Sequence, residues 1–92
     1  LVEKGMGAEA SWIQSRLSRR LQDWSDAGNL GFVFDPDCGY RCFPASAKLV
    51  RKPDVSFVRR GRLPGDVVPR DSIRIPPDFT VEVISPSETI FE

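Results

Sequence analysis

Phe79-Thr80-Val81-Glu82-Val83-Ile84, followed by Ser85-Pro86-Ser87-Glu88, is the stretch that decides how the rest of the chain is read. It is an apolar, β-branched run of strand length with one carboxylate in its middle. Side chains alternate along a strand, so Thr80, Glu82 and Ile84 share one side and Phe79, Val81 and Val83 the other. Apolar residues on both sides predict a central strand covered on both faces. An isolated ionised carboxylate there is costly, so Glu82 requires a cation, a hydrogen-bond donor or a proton. Ser85-Pro86-Ser87-Glu88 then combines an N-cap Ser, a Pro at the first helical position and a Glu at the third, which predicts a helix start. Only Thr89, Ile90, Phe91 and Glu92 remain, and so short a helix is marginal without tertiary support. The chain therefore reads as a single partial domain over residues 1–92. Its start at Leu1 rather than Met points the same way.

Working outward, Asp54-Val55-Ser56-Phe57-Val58 is a strand entered through Pro53 and ended by Arg59-Arg60-Gly61, with Asp54 and Ser56 on one side. Between the two runs, residues 62–78 hold Pro64, Gly65, Pro69, Pro76 and Pro77 and read as a long loop, of the kind that is often functional or mobile. Upstream, Leu30-Gly31-Phe32-Val33-Phe34 is a short strand and Asp35-Pro36-Asp37 a turn. Gly39-Tyr40-Arg41-Cys42-Phe43 reads as the next strand, antiparallel to its neighbour. A helix is expected over 8–27, because Ile13, Leu17, Leu21 and Trp24 form one apolar stripe. Arg16, Arg19, Gln22 and Asp23 lie away from its centre, and Gly28-Asn29 supplies the stop. Glu9 is either a first-turn acid favoured by the helix dipole or a carboxylate turned toward a site.

Ninety-two residues, 40% apolar and 28% charged, describe one small soluble domain with a modest core rather than a disordered chain. No run approaches the ~20 apolar residues of a membrane span, so no membrane partner is expected. Two cysteines without a visible signal peptide favour free thiols in a reducing cytoplasm. Cys38 and Cys42 lack the further Cys or His that a zinc site needs, since the chain has no His. The formal net charge is zero, which excludes a strongly basic nucleic-acid coat. Its distribution is uneven. Arg41 to Arg62 carries seven basic residues and one acid, whereas Asp78 to Glu92 carries four acids and no base. A basic strip beside an acidic tail suits a metal-dependent site on a polyanion, and equally two solvated surface regions.

Without His there is no Ser/His or Cys/His pair, and no Walker A or GxGxxG segment supports a phosphate-cradling loop. Three carboxylates can be gathered: Glu9 near a helix start, Asp54 at a strand start and Glu82 within a strand. Hydrolysing a phosphodiester at neutral pH calls for a cation that polarises the phosphoryl oxygen and generates hydroxide. Carboxylates on adjacent strands are suitable ligands for Mg²⁺, which prefers hard oxygens and retains waters.

Arg51-Lys52-Pro53-Asp54-Val55-Ser56-Phe57-Val58 and Pro77-Asp78-Phe79-Thr80-Val81-Glu82-Val83-Ile84-Ser85-Pro86-Ser87, in that order and at that gap, resemble the Uma family. These are restriction endonuclease-like proteins of the PD-(D/E)XK nuclease superfamily. The opening Gly5-Met6-Gly7-Ala8-Glu9-Ala10, the helix to Trp24 and Gly39-Tyr40 are similar to the family's first half. The resemblance implies an α/β (α+β) restriction endonuclease-like fold, in which an N-terminal helix packs on a mixed central sheet. The order would be α-β-β-β-α-β, with the C-terminal part missing. It implies that Asp54 and Glu82, with Glu9 from the first helix, ligate Mg²⁺ or Mn²⁺ for hydrolysis of a DNA phosphodiester. Lys52, Arg59 and Arg60 of the basic strip would lie near the DNA backbone. The superfamily places a Lys two residues after the second acid, but Ile84 stands here; Lys48 or Lys52 is the candidate replacement, with a solvated or phosphate-facing place as the alternative. A different function class is a catalytically silent nucleic-acid- or protein-binding module of the same fold. A third is a structural fragment that self-associates, as an unpaired strand edge would favour a homo-oligomer.

Overall fold

The computed structural model describes residues 7–42 and 49–84. Lys48 and the expected helix start at 85–88 lie outside the described residues. The order is helix α1 (Ala8–Gly28), strand β1 (Gly31–Phe34), strand β2 (Val55–Arg59), a short 3₁₀ turn (Pro64–Asp66) and strand β3 (Phe79–Val81). Among the described residues the fold is α+β: one helix against a three-stranded antiparallel sheet ordered β1-β2-β3.

The helix matches its sequence expectation at both ends. Asn29 takes the left-handed conformation (φ 53°, ψ 46°) that closes it. The packed face, however, is turned slightly from the Ile13–Trp24 stripe. Ile13 and Trp24 stay largely exposed, at 44% and 48%, whereas Ala10 and Ser25 are buried. Small residues allow the helix to approach the sheet closely, and Ser25 Oγ donates to the Gly31 carbonyl at 2.9 Å. Gly31 is required at that crossing, since a Cβ there would collide with the Val58 carbonyl oxygen. Ser25 is polar by type, so an apolar-stripe reading passes over it.

Strand β2, not the 79–84 run, is the buried central strand: Val55 to Val58 are all inaccessible. The expectation that 79–84 is central and covered on both faces is corrected. β3 spans only Phe79–Val81, pairs only with β2 among the described residues, and keeps Phe79 and Thr80 exposed. The expected strand over 39–43 is also corrected over its described residues, 39–42, Phe43 lying outside them. Tyr40 makes only isolated bridges, antiparallel to Arg51 and parallel to Ile73. Its neighbours' backbone groups are taken by the 62–78 segment, as Arg41 N–H donates to Ile73 O and Ile73 N–H to Gly39 O. That parallel bridge is the parallel pairing found among the described residues; the three strands themselves are antiparallel.

Alternation along β2 separates the sheet's two faces. On the helix side, Phe57 stacks on Phe79 at 5.2 Å, and Trp24 closes on Phe57 at 5.2 Å. On the other side, Val58 meets Tyr40, Leu63 and Ile73 in the buried core, with Phe32 and Phe34 against it. Leu63 and Ile73 come from the 62–78 loop, so this loop is a structural layer rather than a loose connection. The Asp35–Asp37 turn forms as expected, with the Asp37 amide on Asp35 Oδ1 at 3.1 Å. Cys38 and Cys42 are free and half-buried. Burial first, and the Asp35 charge second, push the Cys38 thiol above its ordinary range.

Candidate active site

Asp54 immediately precedes β2 and Glu82 immediately follows β3. In the ladder between them Val55 pairs with Val81, Ser56 with Thr80 and Phe57 with Phe79. Continuing that register by one residue sets Asp54 opposite Glu82. The Val83 amide closes the junction by donating to Asp54 Oδ2 at 2.7 Å. Asp54 is half-buried, and Glu82 is exposed at the rim. The Glu82 carboxyl is held above the usual carboxylate range, by partial desolvation first and the Asp54 charge second, while the Asp54 amide pulls the other way. Like charges directly across a ladder destabilise a sheet. The ion pairs Arg60–Asp66 and Arg62–Asp78 lie elsewhere and neutralise neither acid.

A cleft of about 490 Å³ opens beside the pair, on the sheet face away from the helix. Tyr40, Arg51, Lys52, Thr80 and Glu82 are among its walls. At its floor the buried Tyr40 hydroxyl donates to Ser56 Oγ at 2.6 Å. Burial pushes the Tyr40 hydroxyl up to about 12, against the opposing hydrogen bond to Ser56. It is a neutral donor at physiological pH, fixing the cleft rather than exchanging protons with it.

Of the expected site residues, Glu82 and Lys52 line the cleft, and Asp54 stands beside Glu82 without lining it. Glu9 does not join them. It is an exposed acid in the first turn of α1, on the helix side of the sheet. Among the described residues no group of three His, Cys, Asp or Glu is close enough to hold a metal ion. Arg59 and Arg60 are outside the cleft lining as well. Arg60 pairs with Asp66 at 2.8 Å, donates to the Asn29 carbonyl at 3.2 Å and covers the Phe32 ring. The Arg59 side is exposed, and its amide donates to Asp78 Oδ2 at 2.6 Å. Sequence reasoning missed Thr80, Arg51 and Tyr40 as cleft residues. Thr80 was legible as the neighbour of Glu82 on one side of the strand; Arg51 and Tyr40 needed their mutual bridge.

No described helix is long and apolar enough to cross a membrane. No curated protein and no solved structure matches the chain. A family model, Uma2, described as "Putative restriction endonuclease", matches residues 1–92. With the paired acids of its two resembling motifs set across one ladder, and the match running the length of the sequence, the chain belongs to the Uma2 family of restriction endonuclease-like proteins.

Proposed function

We propose that the chain is a metal-dependent endodeoxyribonuclease domain whose Asp54 and Glu82 carboxylates hold one Mg²⁺ or Mn²⁺. The observation that carries this reading is the cross-strand placement of two like charges, 2.7 Å of backbone hydrogen bond fixing one of them, at the edge of an open cleft. The donor set suits such an ion: the paired groups are hard carboxylate oxygens, the chain has no imidazole, and the one thiol in the cleft wall is Cys42. A divalent cation bound there supplies Lewis-acid polarisation of a phosphodiester oxygen and a hydroxide from water. The chain's own residues do the rest. The β2–β3 register sets the carboxylate separation, and the Val83 amide orients Asp54. Lys52, in the wall beside Glu82, offers a positive charge to the scissile phosphate, a role for which Ile84 has no group. Glu9 at the helix start is a dipole-favoured acid in this reading, not a ligand.

The test is nicking of supercoiled plasmid in Mg²⁺ or Mn²⁺. Wild type is expected to nick, and Asp54→Asn and Glu82→Gln each to lose more than the roughly 10–100-fold that outer-shell changes cost. Cutting that survives both substitutions, or persists in EDTA, overturns the proposal.

A further inference from the structure

The outward face of α1 has no part in that cleft. Trp12, Ser15, Arg16, Arg19, Arg20 and Asp23 recur at helical spacing and border a shallow groove of about 410 Å³. Trp12 is 62% exposed, the Arg16 guanidinium stands over its ring at 5.2 Å, and the helix's other aromatic, Trp24, packs on Phe57 on the sheet side. All three arginines are exposed, and neither of the ion pairs Arg60–Asp66 and Arg62–Asp78 engages them. Arg16 lies three and four residues from Arg19 and Arg20, and like charges at those spacings weaken a helix. One acid, Asp23, does not balance them. A large aromatic face left in water beside three cations is complementary to a chain that offers both flat rings and regularly spaced anions.

We infer that this face of α1 binds single-stranded nucleic acid, with Trp12 stacking on a base and Arg16, Arg19 and Arg20 contacting successive phosphates. An intact duplex buries its base faces and cannot use Trp12. The inference does not rest on the metal site, because such binding needs no divalent ion.

The experiment is fluorescence anisotropy of a labelled oligothymidylate in EDTA at a series of salt concentrations. Wild type is expected to bind it more tightly than a duplex of equal length. Trp12→Ala is expected to weaken binding about tenfold or more. Replacing Arg16, Arg19 and Arg20 together by Ser should flatten the slope of log K against log salt by about 2, whereas the triple Lys variant keeps the slope. All substituted side chains of the face are exposed, and circular dichroism of each variant checks that it stays folded. No binding by wild type, equal affinity for duplex, indifference to Trp12 or to the arginines, or equal displacement by polyglutamate would each overturn the inference, the last assigning the face to an acidic protein segment.

Discussion

Tyr40 and Ser56 show how a single pair of side chains supports the site. Both are buried, their hydroxyls are 2.6 Å apart, and Ser56 lies two residues from Asp54 on the same side of β2. Tyr40→Phe leaves the Ser56 hydroxyl short of a partner and should cost about 1–3 kcal/mol. Ser56→Ala should cost about as much, and the double variant less than the sum; denaturant unfolding of the cycle measures the coupling. Glu82 gives a pH signature. Its carboxyl is raised in the fold, so over the window just above the ordinary glutamate range the native state binds more protons than the unfolded chain. Stability should therefore fall as pH rises through that window, and Glu82→Gln should abolish the fall in thermal melts. Asp78 has the opposite sign. Partial desolvation opposes ionisation, but the Arg59 amide and the Arg62 guanidinium outweigh it and hold the carboxyl below its usual range. Its contribution, about 1 kcal/mol or less for so open a pair, is present above the ordinary Asp pKa. It is lost as pH falls through the depressed one, and Asp78→Asn should flatten that acid limb.

Among the elements, the 62–78 segment departs furthest from its composition. Its prolines and Gly65 read as a connection, yet Leu63 and Ile73 are 2% and 1% exposed and complete the core around Tyr40 and Val58. Ile73→Ala should destabilise by about 2–5 kcal/mol, as truncation of a buried aliphatic does; a cost near zero, read from denaturant midpoints, would restore the view of a loose loop. The helix, β1 and the strand after Pro53 were legible, because an apolar stripe, an Asn terminator and β-branched runs are local signals. What was not legible depends on partners. β3 has the more apolar sequence, but β2 is buried because, among the described residues, it alone has a strand on each side. The 39–43 segment has strand composition, but the backbone bonds of its described residues go to one residue on each side, Arg51 and Ile73, in isolated bridges.

At the scale of the molecule, the sheet separates two surfaces of different character. One face, closed by the helix, leaves the arginines and Trp12 of α1 outward. The other holds the Asp54–Glu82 pair and its cleft. Two of the three expected acids come together because their motifs lie in the two strands that pair, and their role as ligands is the proposal. Glu9 does not join them, and only the helix's position on the far face shows that it stands apart. The basic strip is likewise divided: Arg60 and Arg62 are neutralised by acids of the 62–78 segment, and Lys52 is the one of the expected DNA contacts that reaches the cleft. Lys52→Ala should therefore lower the cleavage rate while leaving metal affinity unchanged, a separation that single-turnover kinetics and calorimetry resolve together. The central claim, that two carboxylates set across one ladder form a cation site, is tested most directly by calorimetric titration of Mn²⁺ and Mg²⁺ into wild type, Asp54→Asn and Glu82→Gln. The account predicts saturable binding in wild type that both substitutions abolish. Absence of binding in wild type, or equal binding by all three proteins, would contradict it.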